Sequence, residues 1–240
     1  MLIFTLFMQT SQATEYCTEG NAEQREACLR AKIADLERSL SNRPPAQNDE
    51  DAAKELYERS KEAMANNEPD RAKEILQELE RKYPRTRTYR SAKRMLDELD
   101  MFGVPMPDVP EFQWIQDSAP KTIGQSDLTI LIFWEVWCPH CKREVPVLNT
   151  TYEKYSDRGL KIVGFTKLSR GKTEDEVKTF LSENDISFPI AKESGDFSDS
   201  FNVSGIPAVA IVQNGTVIWR GHPARITDEM LEKWLEADDK

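Results

Sequence analysis

A chain of 240 residues with 39% hydrophobic side chains has room for one ordinary domain and a smaller one, with enough apolar material for a core. The formal charge is −10, and from Gly103 onward 15 basic residues face 22 acidic ones, so neither part offers the basic surface that nucleic acid or anionic lipid would need. No stretch approaches the ~20 apolar residues of a membrane span, which excludes a membrane-spanning protein as the expected class.

At the N-terminus, Leu2 to Met8 is a short apolar run followed by Ser11-Gln12-Ala13, a small-x-small pattern, so residues 1–13 read as a signal peptide. A helical segment over 14–47 comes next, with Cys28, Leu29, Ile33, Leu36 and Leu40 at three- and four-residue spacing. It holds Cys17 and Cys28, which have neither zinc-knuckle spacing nor a nearby histidine. A structural disulfide is favoured over free thiols. With the export signal, that pairing implies an oxidising compartment, periplasmic or otherwise secreted.

Residues 48–102 read as a helical hairpin region of three helices. Leu56, Tyr57, Ala63 and Met64, then Ala72, Ile75, Leu76 and Leu79, then Tyr89, Ala92, Met95, Leu96 and Leu99 recur with helical period, and Asn66-Asn67-Glu68-Pro69 and Tyr83-Pro84-Arg85-Thr86 supply the turns. The run from Pro69 to Pro84 resembles half of a tetratricopeptide-type pair. One such repeat is short of the three or so that a stable array needs, so a hairpin packed on its neighbour is preferred to a peptide-binding solenoid.

Three prolines between Gly103 and Pro110 forbid helix and open a second domain over 103–240. Leu128 to Trp134 is a continuous apolar run of strand length, the mark of a strand buried on both faces. A helix to about Tyr155 is expected after Cys141, then a strand Leu160–Phe165, a helix Glu174–Glu183 behind a Thr173/Glu176 capping box, and strands Ala208–Val212 and Thr216–Arg220 joined by Asn214-Gly215. A helix Asp228–Leu235 closes the chain. Strands alternating with helices define an α/β fold preceded by a small all-α region.

Trp137-Cys138-Pro139-His140-Cys141 lies where the buried strand ends and a helix begins. Disulfides are attacked by a thiolate, and a helix N-terminus stabilises one with free N–H groups and its dipole, so Cys138 is expected to be the nucleophile. Cys141, one turn inward, is the resolving thiol, and the two can close into a redox disulfide. His140 stands between the sulfurs in sequence and can favour the Cys138 thiolate. Glu144, one turn beyond Cys141, can carry the proton that leaves Cys141. Glu135 and Trp134 can line the site, although Trp134 at a buried strand end reads as core. His222, alone in a loop, reads as surface.

These residues, with Phe133-Trp134, Pro146, and the stretch Val203 to Gly215 around Ile206-Pro207, resemble the thioredoxin superfamily over roughly residues 105–238. The resemblance implies the thioredoxin-like fold. It also implies a cis Pro207 beside Cys138 with the Ile206 backbone free to pair with an extended substrate, and Trp137 before the first cysteine. A proline there cannot donate a ladder hydrogen bond, which keeps a peptide edge open.

Within the superfamily, Cys141-Lys142-Arg143-Glu144-Val145-Pro146 and Met106-Pro107-Asp108 are similar to the TlpA/ResA branch of periplasmic disulfide reductases, where a glutamate stands at the position of Glu144. Two positions depart from the wider family. Ile132 replaces thioredoxin's buried aspartate, and Pro139-His140 is the dipeptide of DsbA-type oxidases. The branch implies a reductase and the dipeptide an oxidase, and the direction of electron flow stays open.

The leading expectation is therefore a thiol:disulfide oxidoreductase that exchanges disulfides with protein substrates and needs no metal or organic cofactor. The resemblance further implies a membrane redox partner that recycles the dithiol. The alternative is a redox-sensing binding module whose helical region recruits a partner.

Overall fold

The computed structural model describes residues 17, 21–41, 46–66, 68–117, 120, 122–125 and 128–238. The stretch read as a signal peptide lies outside them. Two compact units divide the chain, Met1–Asp51 and Ala52–Lys240.

In the first unit, helix α1 (Ala22–Ser41) carries Cys28, which is bonded to Cys17 with an S–S distance of 1.97 Å. Ile33 on the same helix is about half exposed. Helix α2 (Gln47–Ala65) runs from this unit into the second.

The second unit begins with a helical layer: the remainder of α2, α3 (Pro69–Lys82) and α4 (Arg87–Leu99). Pro69 begins α3, where its missing N–H costs nothing. Thr86 caps α4 by accepting from the Tyr89 amide at 3.1 Å. Ala53, Leu56 and Ala63 of α2 bury against Ala72, Ile75, Leu76 and Leu79 of α3 and Ala92, Leu96 and Leu99 of α4, so the periodic positions form one small core.

A six-stranded mixed sheet follows. Its strands are β1 (Gln113–Gln116), β2 (Thr129–Trp134), β3 (Lys161–Thr166), β4 (Ile190–Lys192), β5 (Ala208–Gln213) and β6 (Thr216–Gly221), in the order β1-β4-β3-β2-β5-β6. The pairs β2–β3 and β3–β4 are parallel, whereas β2–β5, β5–β6 and β1–β4 are antiparallel. This is the thioredoxin-like α/β architecture expected from the strand and helix order. Positive φ at both Asn214 and Gly215 makes the tight β5–β6 hairpin turn.

All six residues of β2 are buried, and its alternation divides them between two cores. Ile130, Ile132 and Trp134 join Val145 and Leu148 of α5 (Pro139–Tyr155), Val177, Phe180 and Leu181 of α6 (Glu174–Glu183), and Leu231 and Leu235 of α8 (Asp228–Asp238). On the opposite face Leu131 and Phe133 meet Phe165, Phe197 of α7 (Asp196–Ser200) and Phe201. Phe133 lies 5.4 Å from Phe201 and 5.7 Å from Phe165 between ring centroids. A strand fixed on both faces gives its C-terminal end a defined position, and the Trp137-to-Cys141 segment leaves from that end. Pro146 lies inside α5.

Candidate redox site

Cys138 is the N-cap of α5 and Pro139 its first residue. The Cys138 amide donates to the Glu135 carbonyl at 3.1 Å, and its own carbonyl accepts from the Lys142 amide at 3.0 Å, so the turn between strand and helix is held at both ends. The Cys141 amide donates to the Cys138 sulfur at 3.4 Å. An N-cap sulfur receiving a backbone N–H at the positive end of a helix is placed to carry negative charge. Both cysteines are free thiols, with Cys138 4% exposed and Cys141 fully enclosed.

Facing Cys138 is the segment before β5. The Ile206–Pro207 bond is cis, and the Cys138 thiol points at the Ile206 carbonyl, with 3.9 Å between sulfur and oxygen. Pro207 is buried and Ile206 half-buried. Residues 68 apart in sequence thus meet across the first cysteine.

Burial pushes the Cys141 thiol well above its ordinary range, the hydrogen bond with Cys138 adds to this, and charge on Cys138 and Glu135 acts the same way. The Glu135 backbone opposes the shift. Glu135 itself is buried. Its carboxylate accepts from the Trp137 indole at 2.6 Å and from the Ser169 hydroxyl, which also accepts from the same indole at 2.9 Å. The Arg170 guanidinium stacks 3.4 Å from the Trp137 ring centroid. Trp137 is in this way oriented from both sides beside the thiols.

The remaining expected site residues lie around this centre in different settings. Glu144 is buried and accepts from Arg143 Nε at 3.0 Å. His140 is exposed, and its Nδ1 accepts from Arg143 Nη2 at 3.1 Å. Arg143 therefore bridges the residue read as favouring the Cys138 thiolate and the one read as carrying the Cys141 proton.

Sequence reasoning treated Glu135 only as a lining residue and did not find Ser169 or Arg143. A carboxylate directly after a fully buried strand was the available signal for Glu135, whereas Ser169 comes from a loop 34 residues away. His222, read as surface, is half-buried. Burial pushes its imidazole below the ordinary value, Glu144 opposes this, and Arg94, Arg225 and Arg143 add to it. Its Nδ1 accepts from the Ala224 amide at 3.2 Å. It lies within reach of the Glu144 charge because the turn after β6 folds back onto α5.

Among the described residues no three His, Cys, Asp or Glu side chains converge as a metal site would require, and no helix is long and apolar enough to cross a membrane.

A thioredoxin-like family model matches residues 125–217. The chain is 30% identical over 138 residues to the thiol-disulfide oxidoreductase ResA of Oceanobacillus iheyensis, covering 55% of this chain and 70% of that protein. It is 29% identical over 134 residues to ResA of Bacillus cereus, covering 54% and 75%. The crystal structure of StoA from Bacillus subtilis is similar at 27% identity and a TM-score of 0.42, covering 53% of this chain and 98% of that one.

Proposed function

The chain belongs to the thioredoxin-like thiol-disulfide oxidoreductases, and from that footing we propose that its disulfide exchange with protein clients runs through a Cys138 mixed disulfide resolved by Cys141. The observation that carries the assignment is the setting of Cys138. It caps a helix, receives the Cys141 amide and faces the Ile206 carbonyl, while Cys141 is enclosed.

In the reducing direction the Cys138 thiolate attacks one sulfur of a client disulfide. The Cys138–client bond forms as the client S–S bond breaks, and the departing client sulfur takes a proton. Cys141 then loses its proton and attacks Cys138 Sγ, which forms the Cys138–Cys141 disulfide and releases the second client sulfur as a thiolate. The client gains two electrons and the enzyme dithiol loses two; the oxidising direction is the same path reversed. Glu144 is the proposed carrier of the Cys141 proton, with Glu135 setting the charge around it. Ile206 and Trp137 receive the client chain, the former through its backbone. A separate redox couple, on this reading at the membrane, returns the pair to its starting state.

The Cys17–Cys28 bridge supports a working place outside the cytoplasm, because such bonds persist in oxidising compartments. The test is stoichiometric. Reduced protein mixed with a peptide disulfide under single-turnover conditions should yield one Cys138–Cys141 disulfide and two peptide thiols per molecule. Survival of the Cys138 and Cys141 thiols, or no peptide thiol released, would remove the assignment and leave a redox-sensing binding module as the reading.

A further inference from the structure

Arg94 links the helical layer to the Ile206-Pro207 segment. Arg94 of α4 donates from Nη2 to the Pro207 carbonyl at 3.4 Å and from Nε to Glu98 Oε1 at 3.2 Å. The other oxygen of Glu98 accepts from Arg225, in the turn that follows His222. Glu98 is buried, and a carboxylate out of water is tolerated only when its charge and lone pairs are met. Here guanidinium groups from two separate elements meet it. A Cβ at Gly205 would stand 3.5 Å from Arg94 Nη1, so the arginine lies along the chain leading into Ile206-Pro207. Nearby, Asn202 Nδ2 donates to the Asp97 carbonyl of the same helix at 3.5 Å.

The Ile206-Pro207 segment is therefore gripped from two directions, by the Cys138 thiol at the Ile206 carbonyl and by Arg94 at the Pro207 carbonyl. Proline donates no backbone hydrogen bond, so the carbonyl is the main-chain polar group by which Pro207 can be held. A guanidinium is suited to this, because its fork of donors can serve Glu98 and the carbonyl together.

We propose that Arg94, braced by Glu98 and Arg225, is a positioning residue for client binding, which holds the Ile206-Pro207 segment so that the Ile206 backbone is presented to an extended client chain. The helical layer is on this account part of the client-binding apparatus. The proposal rests on the reading that clients pair with Ile206, and its test separates the two.

Two substrates are compared: an extended peptide carrying an intermolecular disulfide, which needs backbone pairing, and bis(2-hydroxyethyl) disulfide, which is neutral and too small to pair. Loss of a charge-assisted positioning contact in Arg94→Met should raise KM for the peptide about tenfold and leave kcat, and the rate with the small disulfide, within about twofold. Arg94→Lys, which keeps the charge but has a single donor nitrogen in place of the fork, should recover part of the peptide KM. Glu98→Gln keeps the shape and loses the charge, and serves if Arg94→Met does not fold. It should show the same split to a smaller extent. An unchanged peptide KM in the folded variants, or an equal loss with both substrates, overturns the proposal. A wild-type protein that reacts with neither disulfide sinks the exchange reading on which it stands.

Discussion

Cys138→Ser is expected to leave a folded protein whose disulfide exchange falls by about a thousandfold or more, because a neutral hydroxyl does not attack sulfur at the pH where a thiolate does. The substitution is nearly isosteric, and the N-cap it occupies accepts serine readily. Folding and activity should therefore separate cleanly. Circular dichroism and thermal unfolding of the reduced variant should match the wild type while peptide thiol release disappears. Residual exchange within about tenfold of the wild type would mean that another sulfur begins the reaction.

The second large effect concerns pH. A thiol pushed up by burial has a smaller thiolate fraction at a given pH, so the step that needs the Cys141 thiolate must accelerate as pH rises. Once Cys138 is tied to a client it no longer holds a thiolate to accept the Cys141 S–H, and part of the upward shift goes with it. Burial and the Glu135 charge remain. Release of client from the mixed disulfide should then rise by about tenfold per pH unit through the neutral range. Stopped-flow measurement of release at a series of pH values checks this. Glu135→Gln removes a negative charge near Cys141 while keeping an acceptor for Trp137 and Ser169, so its profile should move to lower pH. Glu144→Gln should slow release and leave the initial attack unchanged. A release rate independent of pH in all three proteins would contradict the burial argument.

The redox centre was legible in the sequence because its chemistry is local: a buried strand, two cysteines with two residues between them and a helix start lie close together along the chain. Strand β2 announced itself through an unbroken apolar run whose two faces both meet core. Strands β1 and β4 escaped notice for a physical reason. They are four and three residues long, too short for a period to show, and they pair antiparallel with each other at the sheet edge. Helix α7, five residues long, was missed in the same way. The longer-range parts of the site depend on tertiary placement. Ser169 reaches Glu135 across 34 residues and Arg94 reaches Pro207 across 113, and no spacing rule connects such pairs. His222 illustrates the same limit, since a histidine in a Gly-His-Pro loop looks solvent-facing until the fold half-buries it within reach of the Glu144 charge.

The order of the two cysteines is the central claim, and trapping the intermediate tests it most directly. Cys141→Ser protein should attack a disulfide-linked peptide and stop, so intact-mass analysis under non-reducing conditions should show the protein plus one peptide. Peptide mapping should place that bond at Cys138. Cys138→Ser protein treated identically should show no such adduct, since Cys141 is fully enclosed beneath it. An adduct on Cys141 in the Cys138→Ser variant, with none on Cys138 in the Cys141→Ser variant, would contradict the account.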